Sequence, residues 1–570
     1  MEQPIARAEH DADGDPVELA SYVPALVARR FADRREPLVE PESERFVAAV
    51  LFADISGFTV LTERLAGSGP NGVEELTELL NDCFGELVEL VGAHGGEVVK
   101  FAGDALLAIW PADDDDSGVT AWAARCGLDM QQSLHGREFA AGAQLSVRIA
   151  VGLGQVSVAH LGGVRGRWEL VVGGPAVVQA CAVEQLARPG DVVLSPEAYD
   201  LVGAISTGEQ VRLDAGGSPA LRLASIRPPT SAAPLVGRAG PVEAAGPALR
   251  GYVPAAVTAR LAAGQSAWIS ELRPVTVLFL RLPGLDDISS ETLEQAQQLV
   301  SAVQEALYEY EGSVNKLSVD DKGATLVAAF GLPPVAHEDD PVRAVRAALG
   351  IQARLQSRGL RPALGLATGR VFCGSVGSSQ RREYTMIGGV VNLAARLMQA
   401  ANDELVCDAA TRQAAQAKLA FEELPARRMK GMAEPVAVFR PGGQRRARVP
   451  GRSLVGRANE RGLLSEGLTV LRHGRGGTIL LEGEAGIGKS RLLEDMVAQA
   501  AGQVVRTLVG AADVIRTTTP YHAWRGVFES LFDLTDVGEP EVRRARVLEW
   551  LRGRPDLQRL APLLGDVLPL

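Results

Sequence analysis

The chain has 570 residues and a formal net charge of -12, from 58 Lys and Arg against 70 Asp and Glu, which argues against attraction to nucleic acid or to an anionic membrane surface. The five cysteines show no metal-ligand spacing, which predicts reduced thiols in a cytoplasmic protein. We find no signal-peptide core and no apolar window near the roughly 18 residues of a spanning helix, so we expect no integral membrane association. The length predicts about three domains of roughly 100 to 200 residues each.

After an N-terminal extension, residues 1–44, we expect a first domain over residues 45–227. The apolar run 46–52 predicts a strand that ends at Asp54, and apolar residues at steps of three and four predict a helix over 73–91. The other predicted elements are strands at 97–101 and 105–110 around a Gly103-Asp104 turn, a helix at 119–132 and a strand at 145–152. This is the β-α-β-β-α-β order, in which the first strand lies beside the central hairpin. Asp54 and Asp104 can therefore meet at one sheet edge.

A second domain, residues 273–440, repeats the first after a linker at 228–272. Tyr22-Val23-Pro24-Ala25 recurs as Tyr252-Val253-Pro254-Ala255, and Val50-Leu51-Phe52 recurs as Val277-Leu278-Phe279. A repeat of this length predicts two copies of a whole domain. The predicted elements of the second copy are a strand at 274–282, a helix at 291–310, a hairpin at 313–330, a helix at 339–356 and a strand at 362–371.

A third segment, residues 453–570, follows a linker at 441–452. It contains the full P-loop pattern Gly483-Glu484-Ala485-Gly486-Ile487-Gly488-Lys489-Ser490, with a predicted strand at 478–481 before it and a helix at 491–501 after it. In such a loop the backbone N–H groups around Gly483, Gly486 and Gly488 bind phosphates, Lys489 reaches the β and γ oxygens and Ser490 contacts magnesium. We find no convincing second aspartate for hydrolysis. The segment is short for a P-loop domain, so we expect it to be incomplete and the chain to be a piece of a longer protein.

Three motifs in order carry a resemblance to a known family: the runs Phe52–Thr59, Gly103–Trp110 and Glu383–Leu397. The chain resembles the class III nucleotidyl cyclases, and most closely the soluble adenylyl cyclases with tandem cyclase domains followed by a P-loop module. The resemblance implies an α/β (α+β) fold class: two ferredoxin-like cyclase domains in a pseudo-symmetric pair, followed by part of a P-loop NTPase domain. It also implies conversion of ATP to 3′,5′-cyclic AMP and pyrophosphate at one composite two-metal site.

The resemblance assigns roles to particular residues. Asp54 and Asp104, with the backbone carbonyl of Ile55, would hold two magnesium ions, for which manganese can substitute. The residues that would contact the substrate are Lys316 and Thr385, which would read adenine, and Phe58 and Thr59. Asn392 would orient the ribose, and Arg396 would meet the α-phosphate.

General chemistry favours the same assignment. Two hard cations about 3.5 to 4 Å apart activate the attacking hydroxyl and hold the leaving phosphates. A permanently charged guanidinium suits the charge that develops on phosphorus. A lysine donor and a threonine acceptor match adenine, whereas guanine presents the opposite pattern, so Lys316 and Thr385 favour ATP over GTP.

The two copies are not equivalent. In the second copy Arg281 takes the place of Asp54 and the position of Asp104 falls at or near Ala324, while in the first copy the positions of Asn392 and Arg396 fall near Val177 and Cys181. One composite site is therefore expected, beside a twin that has lost its chemistry. In the resembled family the twin binds bicarbonate through a lysine and an arginine. Lys100 matches that regulatory lysine, but no arginine lies around Ala180, so bicarbonate stays an open partner.

Other interpretations remain open. An aspartate after a strand is often a turn or helix cap, and an Asn/Arg pair on a helix is often a solvated face. The P-loop pattern has an ordinary glycine-rich turn as its simpler interpretation. For the whole chain the alternatives are a nucleotide-sensing signalling ATPase with weak catalysis and a guanylyl cyclase.

Overall fold

The structure is a computed structural model that describes residues 16–33, 38–56, 61, 65, 70–139, 143–212, 217–229, 246–262, 270–285, 288–320, 323–429, 432, 434–444, 456–483, 489–503, 505–510, 521–534 and 540–568. The chain divides into two compact units, residues 1–445 and 446–570. Both copies of the repeat lie in the first unit. No helix of the described part is long and apolar enough to cross a membrane.

The first copy forms an eight-stranded sheet with the strand order β2-β3-β1-β6-β8-β10-β9, and β7 pairs with β6. In chain order its elements, preceded by two short helices, are α1 Pro16–Ser21, α2 Ala25–Asp33, β1 Glu42–Ser56, α3 Pro70–Ala93, β2 Glu97–Ala102, β3 Ala105–Pro111, α4 Asp116–Leu134, β4 Glu138–Phe139, β5 Ala143–Gln144, β6 Ser146–Val164, β7 Arg167–Gly173, α5 Pro175–Glu184, β8 Val192–Leu194, α6 Pro196–Val202, β9 Ser206–Val211 and β10 Ala220–Ile226. β4 and β5 pair separately with each other.

The second copy repeats this topology, with the order β12-β13-β11-β14-β16-β18-β17 and β15 paired with β14. Its elements are α7 Gly246–Leu249, α8 Ala255–Ala262, β11 Glu271–Leu282, α9 Leu293–Glu309, β12 Ser313–Asp320, β13 Gly323–Phe330, α10 Asp340–Gln356, β14 Leu364–Gly377, β15 Arg382–Ile387, α11 Gly389–Ala400, β16 Leu405–Cys407, α12 Ala409–Ala415, β17 Leu419–Arg427 and β18 Val436–Gln444. The β-α-β-β-α-β order predicted for both copies is confirmed. The strand predicted at 145–152 is too short, because β6 pairs with β1 as far as His160 and with β7 from Ser157 to Val164.

The two copies share their hydrophobic core. One buried cluster combines Val50 and Ile109 of the first copy with Val277 and Leu397 of the second. In a second cluster, Phe372 of β14 is fully buried among side chains of α3 and α4. Burial of one such side chain stabilises a fold by about 1.5–3 kcal/mol. The interface between the copies is therefore a core in its own right.

The repeated Tyr-Val-Pro-Ala segments also join the two copies. The Tyr22 hydroxyl lies 2.8 Å from Ser375 Oγ of the second copy, while the Tyr252 hydroxyl lies 2.7 Å from His160 Nδ1 of the first copy. Each tyrosine that precedes one domain thus reaches into the other domain. The rings of Phe31 and Tyr252 meet edge to face, with centroids 6.0 Å apart.

The second unit is helical over its described residues. Its elements are α13 Ala458–Arg472, α14 Lys489–Gly502, α15 His522–Leu531, α16 Pro540–Trp550 and α17 Pro555–Gln558. The helix predicted at 491–501 is confirmed as α14, but the strand predicted at 478–481 is wrong. Leu480 there is 85% exposed, and the described residues of this unit contain no strand with which it could pair. An isolated strand leaves its backbone groups without ladder partners, so the β pattern of the sequence has no sheet to join.

His160 generates a test of the contact between the copies. It is 5% exposed, and burial, helped by the Arg30 charge and opposed by Glu42, lowers its pKa to about 4. A histidine buried in the neutral form contributes stability above its unfolded pKa of about 6.5 and loses it as the pH falls toward the folded pKa. We therefore expect the free energy of unfolding of the first unit to fall by about 2 kcal/mol between pH 7.5 and pH 5 through this residue. His160→Gln, which can still bond Tyr252, should flatten that dependence in urea titrations. If the free energy of unfolding of the variant fell as steeply with pH as that of the wild type, the assignment would be contradicted.

Candidate active site

Two carboxylates meet at one edge of the first sheet. Asp54 lies near the end of β1 and pairs with Ala105 of β3, while Asp104 occupies the turn between β2 and β3. The backbone N–H of Ile55 donates to the carbonyl of Asp104 at 2.9 Å, which fixes the turn against β1. Gly103 has φ +74, a conformation that favours glycine over other residues, and so allows the tight turn that presents Asp104. The predicted meeting of the two aspartates is confirmed.

The electrostatics of this edge suit a cation. Burial, followed by the neighbouring charge of Asp54, raises the pKa of Asp104 to about 6. Arg148 of β6 lies opposite Asp54 in the sheet and forms an ion pair with it, and also lies 3.0 Å from Glu184. Sequence reasoning missed Arg148. Only the strand register, which places it across from Asp54, could have identified it.

The donor set fits a hard divalent ion. No group of three or more His, Cys, Asp and Glu side chains that could hold a metal occurs in the described ranges, so an all-protein cage is not built here. Magnesium is commonly bound through one or two carboxylates and completes its octahedron with phosphate oxygens and water. Asp54 and Asp104, whose mutual repulsion a cation would relieve, match that pattern.

Residues predicted to read the base come from the second copy. Lys316 of β12 and Thr385 of β15 are both buried, at 7% and 1% exposure. The Lys316 ammonium donates to the carbonyl of Phe101 in β2 and lies 3.2 Å from Glu383 Oε1. The Thr385 hydroxyl has no hydrogen-bond partner within the part of the chain that the structure describes. An unsatisfied buried hydroxyl has a free-energy cost that a ligand can remove. Glu383 was not identified from the sequence.

Asn392 and Arg396 lie on α11, one turn apart. Asn392 is exposed and Arg396 partly exposed, whereas Leu397 on another face is fully buried. The Arg396 guanidinium donates to Gln399 at 2.9 Å. The apolar side of α11 belongs to the hydrophobic cluster that also contains Val50 of β1. The helix is therefore anchored on the shared core with both polar side chains directed away from its buried face.

The twin of this site lacks the polar side chains. The register pairs Arg281 with Thr325, so Ala324 occupies the position equivalent to Asp104. Gly174 and Gly388 precede the equivalent helices α5 and α11, so Val178 and Ala182 stand where Asn392 and Arg396 stand in the second copy. Neither side chain can donate or accept a hydrogen bond, and Val178 is 36% exposed.

Lys100 is engaged with the protein itself. Its ammonium donates to the carbonyl of Leu317 at 2.6 Å and to that of Leu170 at 3.5 Å. Burial lowers its pKa to about 8, against the opposing charges of Glu383 and Glu169. Lys100, Lys316, Tyr22 and Tyr252 are among the residues that line a cavity of about 60 Å³.

Several predicted site residues lie outside the described residues, and others lie in the P-loop segment, of which the structure describes only a part. Phe58, Thr59, Gly486 and Gly488 fall outside the described residues. In the P-loop segment, the Lys489 ammonium donates to the carbonyl of Gly483 at 2.6 Å. Ser490 lies in the first turn of α14.

Comparison with known proteins identifies the family. A model described as the adenylate and guanylate cyclase catalytic domain matches residues 41–221 and 269–439, which is more than half of the chain. The chain belongs to the adenylate and guanylate cyclase family. A model of the AAA ATPase domain matches residues 453–565. These matches confirm the tandem cyclase domains followed by an ATPase-type module.

The cyclase relatives are longer proteins. Adenylate cyclase type 10 of Oryctolagus cuniculus is 28% identical over 544 residues, which cover 88% of this chain and 33% of that protein. The protein of the same name from Homo sapiens is 28% identical over 465 residues, 75% of this chain and 28% of that protein. This cyclase chain thus spans about a third of the length of the curated relatives it matches. The solved structure of a class III adenylyl cyclase-like ATP-binding protein from Pseudomonas aeruginosa covers 68% of this chain and 92% of that one, at 13% identity and a TM-score of 0.46.

The carboxylate pair gives a prediction for stability. Asp104→Asn should raise the unfolding temperature in EDTA by about 2 °C, because it removes a buried charge beside Asp54. The same variant should lose most of the stabilisation that manganese with a non-cyclisable ATP analogue gives to the wild type, since ligands stabilise the state that binds them. The P-loop segment contributes equally to both proteins, so differential scanning calorimetry of the full chain reports this edge. Asp320→Asn, at the end of β12 in the equivalent hairpin of the second copy, is the control and should behave as wild type. Undiminished metal stabilisation in Asp104→Asn would contradict the prediction.

Proposed function

We propose that the chain is an adenylyl cyclase, which converts ATP to 3′,5′-cyclic AMP and pyrophosphate at one site between its two cyclase domains. The observation that carries the proposal is the contact of Lys316 with the carbonyl of Phe101. Phe101 lies three residues before Asp104, so a base-reading side chain of the second copy is within one hydrogen bond of the metal-binding hairpin of the first. This contact supports a site shared by the two copies, because it brings the proposed base-reading lysine against the hairpin that carries Asp104.

Each half has its own task in the proposed reaction. Asp54, Asp104 and the carbonyl of Ile55 would hold two divalent ions, which are magnesium or manganese in our proposal and which would lower the pKa of the ribose 3′-hydroxyl and bind the departing pyrophosphate. Arg396 would offset the charge that builds on the α-phosphorus as the 3′-oxygen attacks. Asn392, one turn earlier, would hold the ribose so that the hydroxyl is in line. No side chain is required as a general base.

Base choice follows from the two buried residues of the second copy. A lysine ammonium donates to adenine N1, and a threonine hydroxyl accepts from the exocyclic amine. The unsatisfied hydroxyl of Thr385 supports this role because it lacks a partner that a bound base could supply. Both side chains are deeply buried, so a base can enter only when neighbouring groups move aside.

The remaining parts of the proposal concern the surroundings of the site. The P-loop residues Gly483, Gly486, Gly488, Lys489 and Ser490 would bind a second ATP, whose hydrolysis we do not include. The five cysteines are buried free thiols, which supports a reducing, cytoplasmic compartment. Lys100 offers bicarbonate a poor site, since its ammonium already donates to two carbonyl oxygens and no arginine stands at Ala180 or Cys181.

Removal of either half of the site tests the activity. Asp54→Ala and Arg396→Ala should each lower cyclic AMP formation from MnATP by at least about 100-fold, because one removes a metal ligand and the other the charge that stabilises the transition state. The matched control is Arg281→Ala, at the position equivalent to Asp54 in the twin, which should keep its activity within about twofold. Product formation is measured by chromatography on proteins with matched circular dichroism spectra. Full activity in both site variants, or no cyclic AMP from the wild type, would rule the proposal out.

Nucleotide selectivity is tested by a double substitution. Lys316→Glu with Thr385→Cys should narrow the ratio of kcat/KM for ATP over GTP by at least about tenfold, because the donor and acceptor pattern that fits adenine is lost. Initial rates with both nucleotides give the ratio. A wild type that prefers GTP would favour the guanylyl cyclase alternative, and binding without turnover would favour the nucleotide-sensing one.

A further inference from the structure

A cavity of about 280 Å³ is lined by residues of both copies of the repeat. The first copy contributes Arg165, in the turn between β6 and β7, and Arg167, at the start of β7. The second copy contributes Tyr308 in the last turn of α9, Ser313 at the start of β12 and the segment 332–335 that follows β13. None of the residues that we assign to nucleotide or metal is among the described lining residues. The cavity is therefore a separate candidate site.

The charged side chains of the lining leave one positive charge uncompensated. Arg167 Nε lies 3.1 Å from Glu169 Oε1, so this guanidinium already has a carboxylate partner. The Glu311 carboxylate forms an ion pair with Arg343, which is 1% exposed. Among the described residues, no acidic side chain pairs with Arg165, which is exposed at the mouth of the cavity. The cavity thus offers a single cation to a ligand.

Three hydrogen-bond donors accompany this charge or carry it. The Arg165 guanidinium carbon lies over the Tyr308 ring, 5.9 Å from the ring centroid. Within the described ranges, the side chains of Arg165, Tyr308 and Ser313 form no hydrogen bond. Burial, and after it the charge of Glu169, raises the pKa of Tyr308, so its hydroxyl keeps its proton and can donate. A guanidinium and two hydroxyl groups are suitable partners for the two oxygens of a carboxylate.

The rest of the lining favours an apolar group. Val314, Leu332, Pro333, Pro334 and Val335 contribute to it, and Val335 is 37% exposed, so this wall reaches the protein surface. A cavity of roughly 150 Å³ with an apolar lining holds benzene, so this larger cavity has room for an aromatic ring on a short chain. A fully hydrated dianion such as phosphate would lose water against this wall without gaining a partner.

The equivalent surface of the first copy has a different lining. β3 pairs with β1 as β13 pairs with β11, and this register places the Asp-Asp-Asp segment 113–115 where the second copy has the Pro-Pro-Val segment 333–335. Gly92 stands at the position of Tyr308. Carboxylates repel an anion, and glycine has no hydroxyl to donate. The arrangement of cation, donors and apolar wall therefore belongs to one side of the pseudo-symmetric pair.

We propose that this cavity binds a small monocarboxylate with an apolar body, such as an aromatic ring on a short chain. The carboxylate accepts hydrogen bonds from the Arg165 guanidinium and from the hydroxyl groups of Tyr308 and Ser313. The apolar body contacts the segment 332–335. This site goes beyond the proposed cyclase reaction and does not depend on it.

Phenylbutyrate is the probe, and ligand-observed NMR titrations of the full chain measure its dissociation constant. We expect saturable binding to the wild type with a dissociation constant on the order of 1 mM, which is typical of a ligand of this size. Phenylbutanol lacks the charge and butyrate lacks the ring. Each should therefore bind at least about tenfold more weakly.

Three variants locate the binding. Arg165→Asn removes the charge but keeps the turn, because asparagine tolerates the φ of 55° at this position. It should weaken phenylbutyrate binding at least about tenfold. Val335→Asp, which introduces the residue that the first copy has at the equivalent exposed position, should have the same effect by repulsion. Arg188→Asn changes an exposed arginine that is not among the described lining residues, and should bind as the wild type does.

The variants are compared at matched circular dichroism spectra, so that a folding defect is recognised. The proposal is overturned if the wild type shows no saturable binding, if Arg165→Asn or Val335→Asp binds as well as the wild type, or if Arg188→Asn loses as much. Equal binding of phenylbutanol would indicate an apolar cavity without an anion site, and competition by inorganic phosphate would indicate an anion site without need of an apolar body. Either result contradicts the proposal. No step of this test measures cyclic AMP, so its failure is distinct from failure of the proposed function.

Discussion

A buried charge must have a partner, and this constraint organises the contact between the two cyclase domains. Lys316 is 7% exposed, and Arg381, Glu169 and Glu383 are similarly withdrawn from water. Each domain supplies part of the compensation for the other: Lys100 of the first copy donates to Leu317 of the second, and Lys316 of the second donates to Phe101 of the first. Separation of the domains would leave both ammonium groups without these acceptors. The charges thus specify one docking register, whereas the apolar core supplies most of the stabilisation.

The two copies share one strand topology but differ in the polar residues at equivalent positions. Equivalent strands have the same order in both sheets, and the register aligns Arg281 and Ala324 with the two aspartates of the first copy. Those substitutions remove both carboxylates from one pseudo-symmetric position. The helix after Gly174 carries Val178 and Ala182 where the helix after Gly388 carries Asn392 and Arg396, so the polar side chains are absent there as well.

The sequence predicted what is local or repeated. The apolar periodicity of α3 and the hairpin around Gly103 depend on neighbouring residues, and the comparison of the two copies indicated which residues had been lost. Contacts between the copies had no such signal. The acceptor of Lys100 is 217 residues away, and Arg148 faces Asp54 only because of strand register. The wrong strand at 478–481 has the same cause, since a β pattern predicts a strand only where a sheet exists to receive it.

The crossed contacts of Tyr22 and Tyr252 have a consequence for how the two copies are held together. Tyr22, which precedes the first domain, bonds the second, and Tyr252, which precedes the second domain, bonds the first. Reciprocal exchange of leading segments is also the arrangement expected of a two-fold symmetric homodimer. The peptide between the copies adds a covalent link to two halves that these contacts already hold together.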